Sequence, residues 1–241
     1  MRAALILGSA LLMGACNMAA DAQGTEGGER GQRSFNLAGF DAVSLAGPHD
    51  VVVTVGSGHS VRAEGDRTAL DRLEIEVDGG NLKIGTKKGN WPMDWSKGRA
   101  KTTIYVSLPA IRAAAIAGSG DMRVDRVRAD RFAGSIAGSG DLQIASMQVT
   151  DAKFSVAGSG NISAAGSAQR STISIAGSGE VNLAGVESRS AEISVMGSGD
   201  VTARAAETAN VSIMGSGDVT IAGSPRCTVS KRGSGSVRCG A

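Results

Sequence analysis

The tripeptide Gly-Ser-Gly recurs seven times in the second half of the chain, and this repeat restricts the possible folds more than any other feature. The triplets begin at residues 118, 138, 158, 177, 197, 215 and 233, so successive copies lie 18 to 20 residues apart. A period of this length is typical of solenoids, in which each repeat forms one coil and buries its apolar face against its neighbours. We therefore expect a stack of coils.

Apolar residues alternate with polar or small ones on both sides of each triplet, a period of two that is typical of strands with one buried face. The predicted inward rows are Ala114, Gly134, Phe154, Ile173, Ile193, Val211 and Val229; Ile116, Ile136, Val156, Ile175, Val195 and Ile213; Met122, Leu142, Ile162, Val181, Val201, Val219 and Val237; and Val124, Ile144, Ala164, Leu183, Ala203, Ile221 and Cys239. The predicted fold is an all-β parallel β-solenoid (β-helix) with coils of about 18–20 residues. Each Gly-Ser-Gly is expected to form a corner, because glycine permits a positive φ and a close approach of neighbouring backbones.

The first part of the predicted solenoid, residues 34–112, is less regular than the repeats at 113–241. Two strands are expected around the Gly47-Pro48 turn, and the stretch "LEIEVDGGNLKIG" reads as a strand, a turn and a second strand. A further strand is predicted in "TTIYVSLPAI", and one helical turn in "DRTALDRLEI". These strands are expected to begin the solenoid with more varied coils, so that residues 34–241 form one domain.

The amino terminus resembles a bacterial lipoprotein signal over residues 1–15, with Cys16 as the lipidated residue. The alternative is an ordinary secretory peptide that is cut near "MAADAQ". Residues 16–33 are polar and glycine-rich, and are predicted to be a flexible tether. Lipidation would anchor the protein to a membrane surface, and Asn17 in place of aspartate favours the outer membrane. Two further cysteines, Cys227 and Cys239, fall at inward positions of the last coil, and in an exported protein they are expected to form a disulfide.

Several stretches of this chain together form a recognisable pattern over roughly residues 33–241: "FDAVSLAGPHDVVVTVGSG", "LEIEVDGGNLKI", "IYVSLPAIRAAAIAGSGDM" and the repeated GSGD coils. In this pattern the chain resembles the head GIN domain family of bacterial auto-transporter adhesins. The resemblance implies a β-helical protein associated with the cell envelope and without an established enzymatic activity.

An acidic or amide residue follows most triplets and forms the main candidate ligand row. Stacked carboxylates can bind Ca²⁺, which prefers several oxygen ligands. The alternative is a set of turn-capping side chains that accept backbone hydrogen bonds. The row comprises Asp121, Asp141, Asn161, Glu180, Asp200 and Asp218.

Catalytic signatures are weak in this sequence. The histidines are His49 and His59, and no metal-binding or nucleophile motif surrounds them, so neither a catalytic residue nor a metal ligand is predicted and no cofactor other than calcium is considered. The mixed charges of Asp121, Arg123, Asp125, Arg126 and Arg128 could imitate a polysaccharide-cleaving site, although a solvated surface is the simpler interpretation. Trp91 and Trp95 lie among cations; they would either stack on sugars or cover an open side of the solenoid.

A formal net charge of +2 without a basic nucleic-acid motif argues against nucleic acid as a partner. The sequence thus predicts a lipid-anchored, non-enzymatic interaction module of the bacterial envelope, whose partner is a protein or a glycan. The alternatives are a periplasmic scaffold and, from another class, a polysaccharide-acting enzyme.

Overall fold

The computed structural model describes residues 30–56, 58–87 and 102–240, and most of them are in strands. The elements in chain order are β1 (Arg30–Phe35), β2 (Ala42–Ala46), β3 (Asp50–Val55), β4 (Ser60–Asp66), α1 (Arg67–Arg72), β5 (Leu73–Asp78), β6 (Asn81–Thr86), β7 (Thr103–Leu108), β8 (Ala113–Gly118), β9 (Met122–Val124), β10 (Val127–Gly138), β11 (Asp141–Gly158), β12 (Asn161–Gly177), β13 (Glu180–Gly197), β14 (Asp200–Gly215), β15 (Val219–Ala222), β16 (Arg226–Arg232) and β17 (Val237–Cys239). Within the described ranges no helix is long and apolar enough to cross a membrane.

The repeats form a parallel β-solenoid, as predicted. Strands β10 to β14 pair in parallel, and the register places triplet over triplet, with Gly138 beside Gly158 and Gly158 beside Gly177. The aliphatic rows point inward and form one continuous core, because each coil covers the apolar face of the coil before it.

Each regular coil has three sides, because the alternation of buried and exposed residues is interrupted at two places besides the triplet. In the coil that contains β11, residues 141–145 form the aspartate side, residues 146–150 the middle side and residues 152–157 the alanine–serine side. We use these three names for the corresponding residues of every coil.

The Gly-Ser-Gly triplets form the corner between the alanine–serine side and the aspartate side. The first glycine has a positive φ, which is 140° at Gly138. The N–H of Ser139 donates to the carbonyl oxygen of Gly118 in the preceding coil at 2.9 Å. A Cβ on the second glycine, Gly140, would overlap the carbonyl oxygen of Gly120. A Cβ on the first glycine, Gly138, would likewise overlap the carbonyl oxygen of Gly118. Close stacking therefore requires both glycines, and the dihedral angle is a second requirement at the first of them.

The irregular first part adds two coils to the same stack, but their spatial order differs from their order in the sequence. Strands β2 and β3 form one coil, and β6 and β7 belong to another. On the alanine–serine side β2 pairs with both β6 and β8, and on the aspartate side β3 pairs with both β7 and β9. The coil of β2 and β3 therefore lies between strands β6 and β7 and the first regular repeat.

Antiparallel strands close the amino-terminal end of the stack. Strand β4 pairs antiparallel with β7, β1 with β4, and β5 with β6. The helix α1 joins β4 to β5 and is capped by Asp66, whose side chain accepts a hydrogen bond from the N–H of Thr68 at 2.8 Å. The predicted tether boundary at residue 33 needs correction, because β1 already begins at Arg30. Its side chains are mostly exposed, so backbone pairing holds this edge strand and no apolar alternation marks it.

The carboxy-terminal coil, formed by β16 and β17, is open on its outer surface. Val229 was predicted to point into the core, but its side chain is 46% exposed, because no further coil covers it. The predicted disulfide between Cys227 and Cys239 is present and joins β16 to β17 across this coil. Lys231 and Arg232 end β16 in exposed positions, and charged residues on an edge strand oppose unwanted strand pairing.

Candidate functional site

The acidic row lies along the corner edge of the aspartate side, and its side chains join successive coils. The carboxylate of Asp121 accepts a hydrogen bond from the N–H of Asp141 at 3.1 Å, and Asp141 accepts one from the N–H of Asn161 at 3.2 Å. The Asn161 side chain also donates to Asp141 at 3.0 Å. The same contact joins Asp200 to the N–H of Asp218 at 2.8 Å. These side chains act as a ladder of backbone caps.

The ladder changes at Glu180 and ends at Ser236. Above Glu180, whose side chain is one methylene longer, the N–H of Asp200 donates to the carbonyl oxygen of Gly179 at 3.1 Å. At the last step both the N–H and the hydroxyl of Ser236 donate to Asp218, each at 2.8 Å. These hydrogen bonds hold the pKa of the Asp218 carboxyl below its ordinary value, because they stabilise the ionised form.

The ladder geometry favours the capping interpretation over the calcium interpretation. Within residues 30–56, 58–87 and 102–240, no group of three or more His, Cys, Asp or Glu side chains is arranged to hold a metal ion. The calcium site at the acidic row stays a prediction.

The mixed-charge cluster at residues 121–128 is held by local hydrogen bonds. Asp125 accepts from the N–H of Val55 at 2.8 Å and from the N–H of Arg126 at 2.6 Å, and Arg123 donates to Gln143 at 3.3 Å. Both carboxylates of the cluster thus fix backbone between coils. Cys16, Trp91 and Trp95 lie outside the described residues.

The alanine–serine side carries a feature that the sequence analysis did not single out. Most of its outward residues are small, and the register aligns them in rows across the sheet, for example Ala117 with Ala137 and Ser135 with Ser155. Strands β5 and β6 extend this sheet at the amino-terminal end. A groove of about 940 Å³ runs along it from Glu74 and Glu76 on β5 to Ala176 on β12.

Two methionines interrupt the small residues beyond this groove. Met196 and Met214 are 59% and 53% exposed and, with Val229, are the large hydrophobic side chains exposed in the described part of the chain. They follow Ala176 in the same row. An exposed apolar strip of this kind marks interaction surfaces in soluble proteins. A signal was present in the sequence, because the residue before most triplets is apolar at an outward position.

His49 lies at the corner of the coil formed by β2 and β3, where residues 47–49 take the place of a Gly-Ser-Gly triplet. Its side chain is buried; Nε2 lies 3.2 Å from the hydroxyl of Thr86, and Nδ1 has no hydrogen-bond partner. Burial lowers the pKa of His49 below 6.5, and this effect exceeds the opposing attraction of Asp50 for the charged form.

We expect this histidine to make the protein less stable in mild acid. Below pH 6.5 the unfolded chain binds a proton that folded His49 binds only at lower pH, so the free energy of unfolding should fall as the pH decreases from 6.5. One proton limits the slope to about 1.4 kcal/mol per pH unit. Urea unfolding at pH 7.5 and 5.5 measures the fall, which His49→Gln should reduce. An equal fall in both proteins would show that other groups cause it.

Solved structures with the same architecture come from Bacteroides and Parabacteroides species. A putative adhesin from Bacteroides fragilis superposes with a TM-score of 0.81 at 20% identity, covering 88% of this chain and 97% of that one. A putative lipid binding protein from Parabacteroides distasonis superposes with a TM-score of 0.69 at 24% identity, covering 88% of this chain and 98% of that one. A putative adhesin from Parabacteroides merdae superposes with a TM-score of 0.66 at 17% identity, covering 88% of this chain and 96% of that one. These likenesses show the fold.

The family comparison covers most of the folded part. No curated protein matches the chain significantly. The family model described as "putative auto-transporter adhesin, head GIN domain" matches residues 39–225, from the coil of β2 to the start of β16. With the β-solenoid confirmed and this match extending over more than half of the sequence, the chain belongs to the head GIN domain family.

Proposed function

We propose that this protein is a non-enzymatic interaction module of the bacterial envelope, of the adhesin type, whose contact surface is the alanine–serine side. The observation that carries the proposal is the long strip of small outward residues that ends in exposed Met196 and Met214. A partner can cover such a surface without removing charged groups from water, because its middle carries mostly alanine and serine.

The same proposal includes a membrane anchor at Cys16 and an outer-membrane location. Support comes from the short apolar leader, from the small residues Gly14 and Ala15 before Cys16, and from Asn17 after it. A lipid at this position would hold the solenoid near the membrane through the polar residues that follow.

Protease treatment of intact cells tests the anchor and the location together. We expect the wild-type protein to be membrane-bound and degraded from outside, and Cys16→Ser to be released from the membrane fraction, because one acylated cysteine carries the attachment. Immunoblots of the cell and medium fractions provide the measurement. Protection of the wild-type protein until the outer membrane is opened would instead support the periplasmic scaffold.

The contact surface is tested by cell binding with two matched variants. Ala137→Glu places a carboxylate on the alanine–serine side, and Ala184→Glu places one on the aspartate side of another coil; both alanines are exposed. We expect the first variant to abolish attachment of cells that display the protein, and the second to leave it unchanged. Equal attachment of both variants would reject this side as the contact surface.

A second candidate function is the binding of a lipid acyl chain in the groove. The favouring observation is its lining, in which alanines alternate with the edges of Ile116, Ile136 and Val156. The related protein named a lipid binding protein agrees with this possibility. Native mass spectrometry of the purified chain distinguishes the two, since a bound acyl lipid would add a discrete mass that delipidation removes.

The polysaccharide-acting enzyme is the less favoured alternative, because Asp121 and Asp125 are occupied by backbone hydrogen bonds. Loss of glycan turnover in Asp121→Asn would be its signature.

A further inference from the structure

We propose that two copies of this chain pair face to face through their alanine–serine sides, with the solenoid axes antiparallel. The proposal rests on the proposed function, because it names the partner of that contact surface. The pair is related by a two-fold axis parallel to the strands, and each copy therefore presents the same surface to the other.

The argument starts from the order of residues in one outward row, here called the alanine row. Ten neighbouring strands contribute one residue each, in the spatial order β5, β6, β2, β8, β10, β11, β12, β13, β14 and β16. The register gives the row as Glu74, Gly85, Ala46, Ala117, Ala137, Ala157, Ala176, Met196, Met214 and Arg232.

A two-fold axis along the strands reverses the order of the strands in the second copy. Each row of one copy then faces the same row of the other copy, read in the opposite direction. The first residue of the row then faces the tenth, so Glu74 of one copy faces Arg232 of the other. The second and third face the ninth and eighth, which places Met214 over Gly85 and Met196 over Ala46. The four central alanines face each other. The row is therefore complementary to its own reverse in both charge and size.

The complementarity of size coincides with the groove. Gly85 and Ala46 line the groove near its amino-terminal end, and the two methionines are the large exposed side chains beyond its other end. Pairing inserts the methionines of each copy into the groove of the other, and the flat alanine region allows the two sheets to approach closely. The exposed apolar area of the methionines is thereby removed from water.

The two neighbouring rows contain no like charges in opposition. One row runs Glu76, Lys83, Ser44, Ala115, Ser135, Ser155, Ser174, Ser194, Ser212 and Ser230, and the other runs Asp78, Asn81, Ala42, Ala113, Ala133, Lys153, Thr172, Glu192, Asn210 and Thr228. On reversal, Glu76 and Lys83 face serines, Lys153 faces Ala133, and Glu192 lies opposite Ala42, whose side chain is already buried in its own copy. Lys83, whose ammonium group pairs with Asp78 of its own copy, becomes a diagonal neighbour of Glu192, which adds a further attraction between the copies.

The paired area is large enough for a stable dimer. Nine strand spacings give a length of roughly 43 Å, and three outward rows with their side chains give a width of roughly 18 Å. Two such faces bury about 1,500 Å² in total, which lies within the range of specific protein–protein interfaces. The antiparallel arrangement carries the two β1 strands at opposite ends, which suits a contact between two membranes that each hold one copy.

Sedimentation of the purified full chain over a concentration series tests the pairing. We expect a dimer of the wild-type protein at micromolar concentration. Ala137→Glu should raise the dissociation constant at least 100-fold, because the two introduced carboxylates lie close together across the two-fold axis. Ala184→Glu on the aspartate side is the matched control and should sediment like the wild type.

A charge exchange tests the antiparallel register specifically. Glu74→Arg and Arg232→Glu should each weaken the dimer about tenfold, because each replaces two attractive pairs by two repulsive ones, and the double variant should restore it. Arg204→Glu, on the aspartate side, is the control for charge reversal alone.

The outcomes separate this proposal from the function on which it rests. A wild-type chain that stays monomeric at 100 μM, or a double variant that is no better than the singles, overturns the antiparallel pair. If the wild-type chain is monomeric and Ala137→Glu still abolishes cell attachment, the contact surface stands and its partner is another molecule. If Ala137→Glu keeps both the dimer and the cell attachment, the antiparallel pair and the contact surface are both rejected.

Discussion

Gly179→Val should destabilise the solenoid by more than about 3 kcal/mol, or prevent folding, while Ser178→Ala next to it changes stability by less than about 1 kcal/mol. Gly179 is the second glycine of a triplet in the middle of the stack and is buried. Any Cβ there overlaps the carbonyl oxygen of Gly160 and approaches Cγ1 of Val156 within 2.7 Å. The backbone cannot retreat without separating two coils that share a continuous ladder of hydrogen bonds.

Ser178 is the matched comparison because it belongs to the same corner. Its side chain is exposed, and its structural contribution is a backbone N–H that donates to the carbonyl oxygen of Gly158 at 2.8 Å, which alanine preserves. Thermal unfolding followed by circular dichroism measures both variants. Equal melting temperatures would mean that the close approach of the triplets is not needed for stacking.

Removal of the disulfide should give the second large effect, a loss of about 3 kcal/mol when Cys227 and Cys239 are both replaced by serine. The bond closes a loop with a sequence separation of 12 residues, and the entropy of such a closure accounts for this magnitude. The cost concentrates in the last coil, which has a neighbour on one side alone and leaves Val229 exposed. We expect the end coil to open before the rest of the stack.

Hydrogen exchange with mass spectrometry distinguishes local from global loss. Amides of β16 and β17 should lose protection in the double serine variant, whereas those of β11 and β12 should keep it. Non-reducing peptide mapping of the wild-type protein should recover the two cysteines in one linked peptide pair. Two free thiols in the exported protein, or uniform loss of protection along the stack, would contradict this account.

The regular half of the fold was predictable because the same pattern of glycine corner and alternating strands occurs in several copies along the sequence. Alternation on both sides of the triplets predicted which side chains face inward, and rows such as Ile116, Ile136 and Val156 are buried as expected. The exceptions are Val229 and Cys239 in the last coil, where the alternation continues but no further coil covers the side chains. The alternation of apolar and polar residues predicts which face of a strand a side chain occupies. Burial of that side chain also requires an adjacent coil that covers it.

The candidate site was predictable only in part. The acidic row was visible, because its members follow each triplet directly, but its role as a ladder of caps depends on distances of about 3 Å between adjacent coils. The alanine row was harder to recognise, because it includes Glu74, Gly85 and Ala46 from the irregular part of the chain. These residues join the row through strand pairing, and no repeat in the sequence links them to Ala117.

The sequence by itself determined the coil, its length, its glycine corners and the inward rows, because these depend on residues that lie within one period of each other. The tertiary structure alone decided the order of the first coils. The coil of β2 and β3 is inserted between the coil of β6 and β7 and the first regular repeat, and Ala42 pairs with both Asn81 and Ala113. Several apolar strands could stack in that place with similar alternation. The choice depends on how the antiparallel strands and α1 close the end of the stack, which is a long-range property of the folded chain.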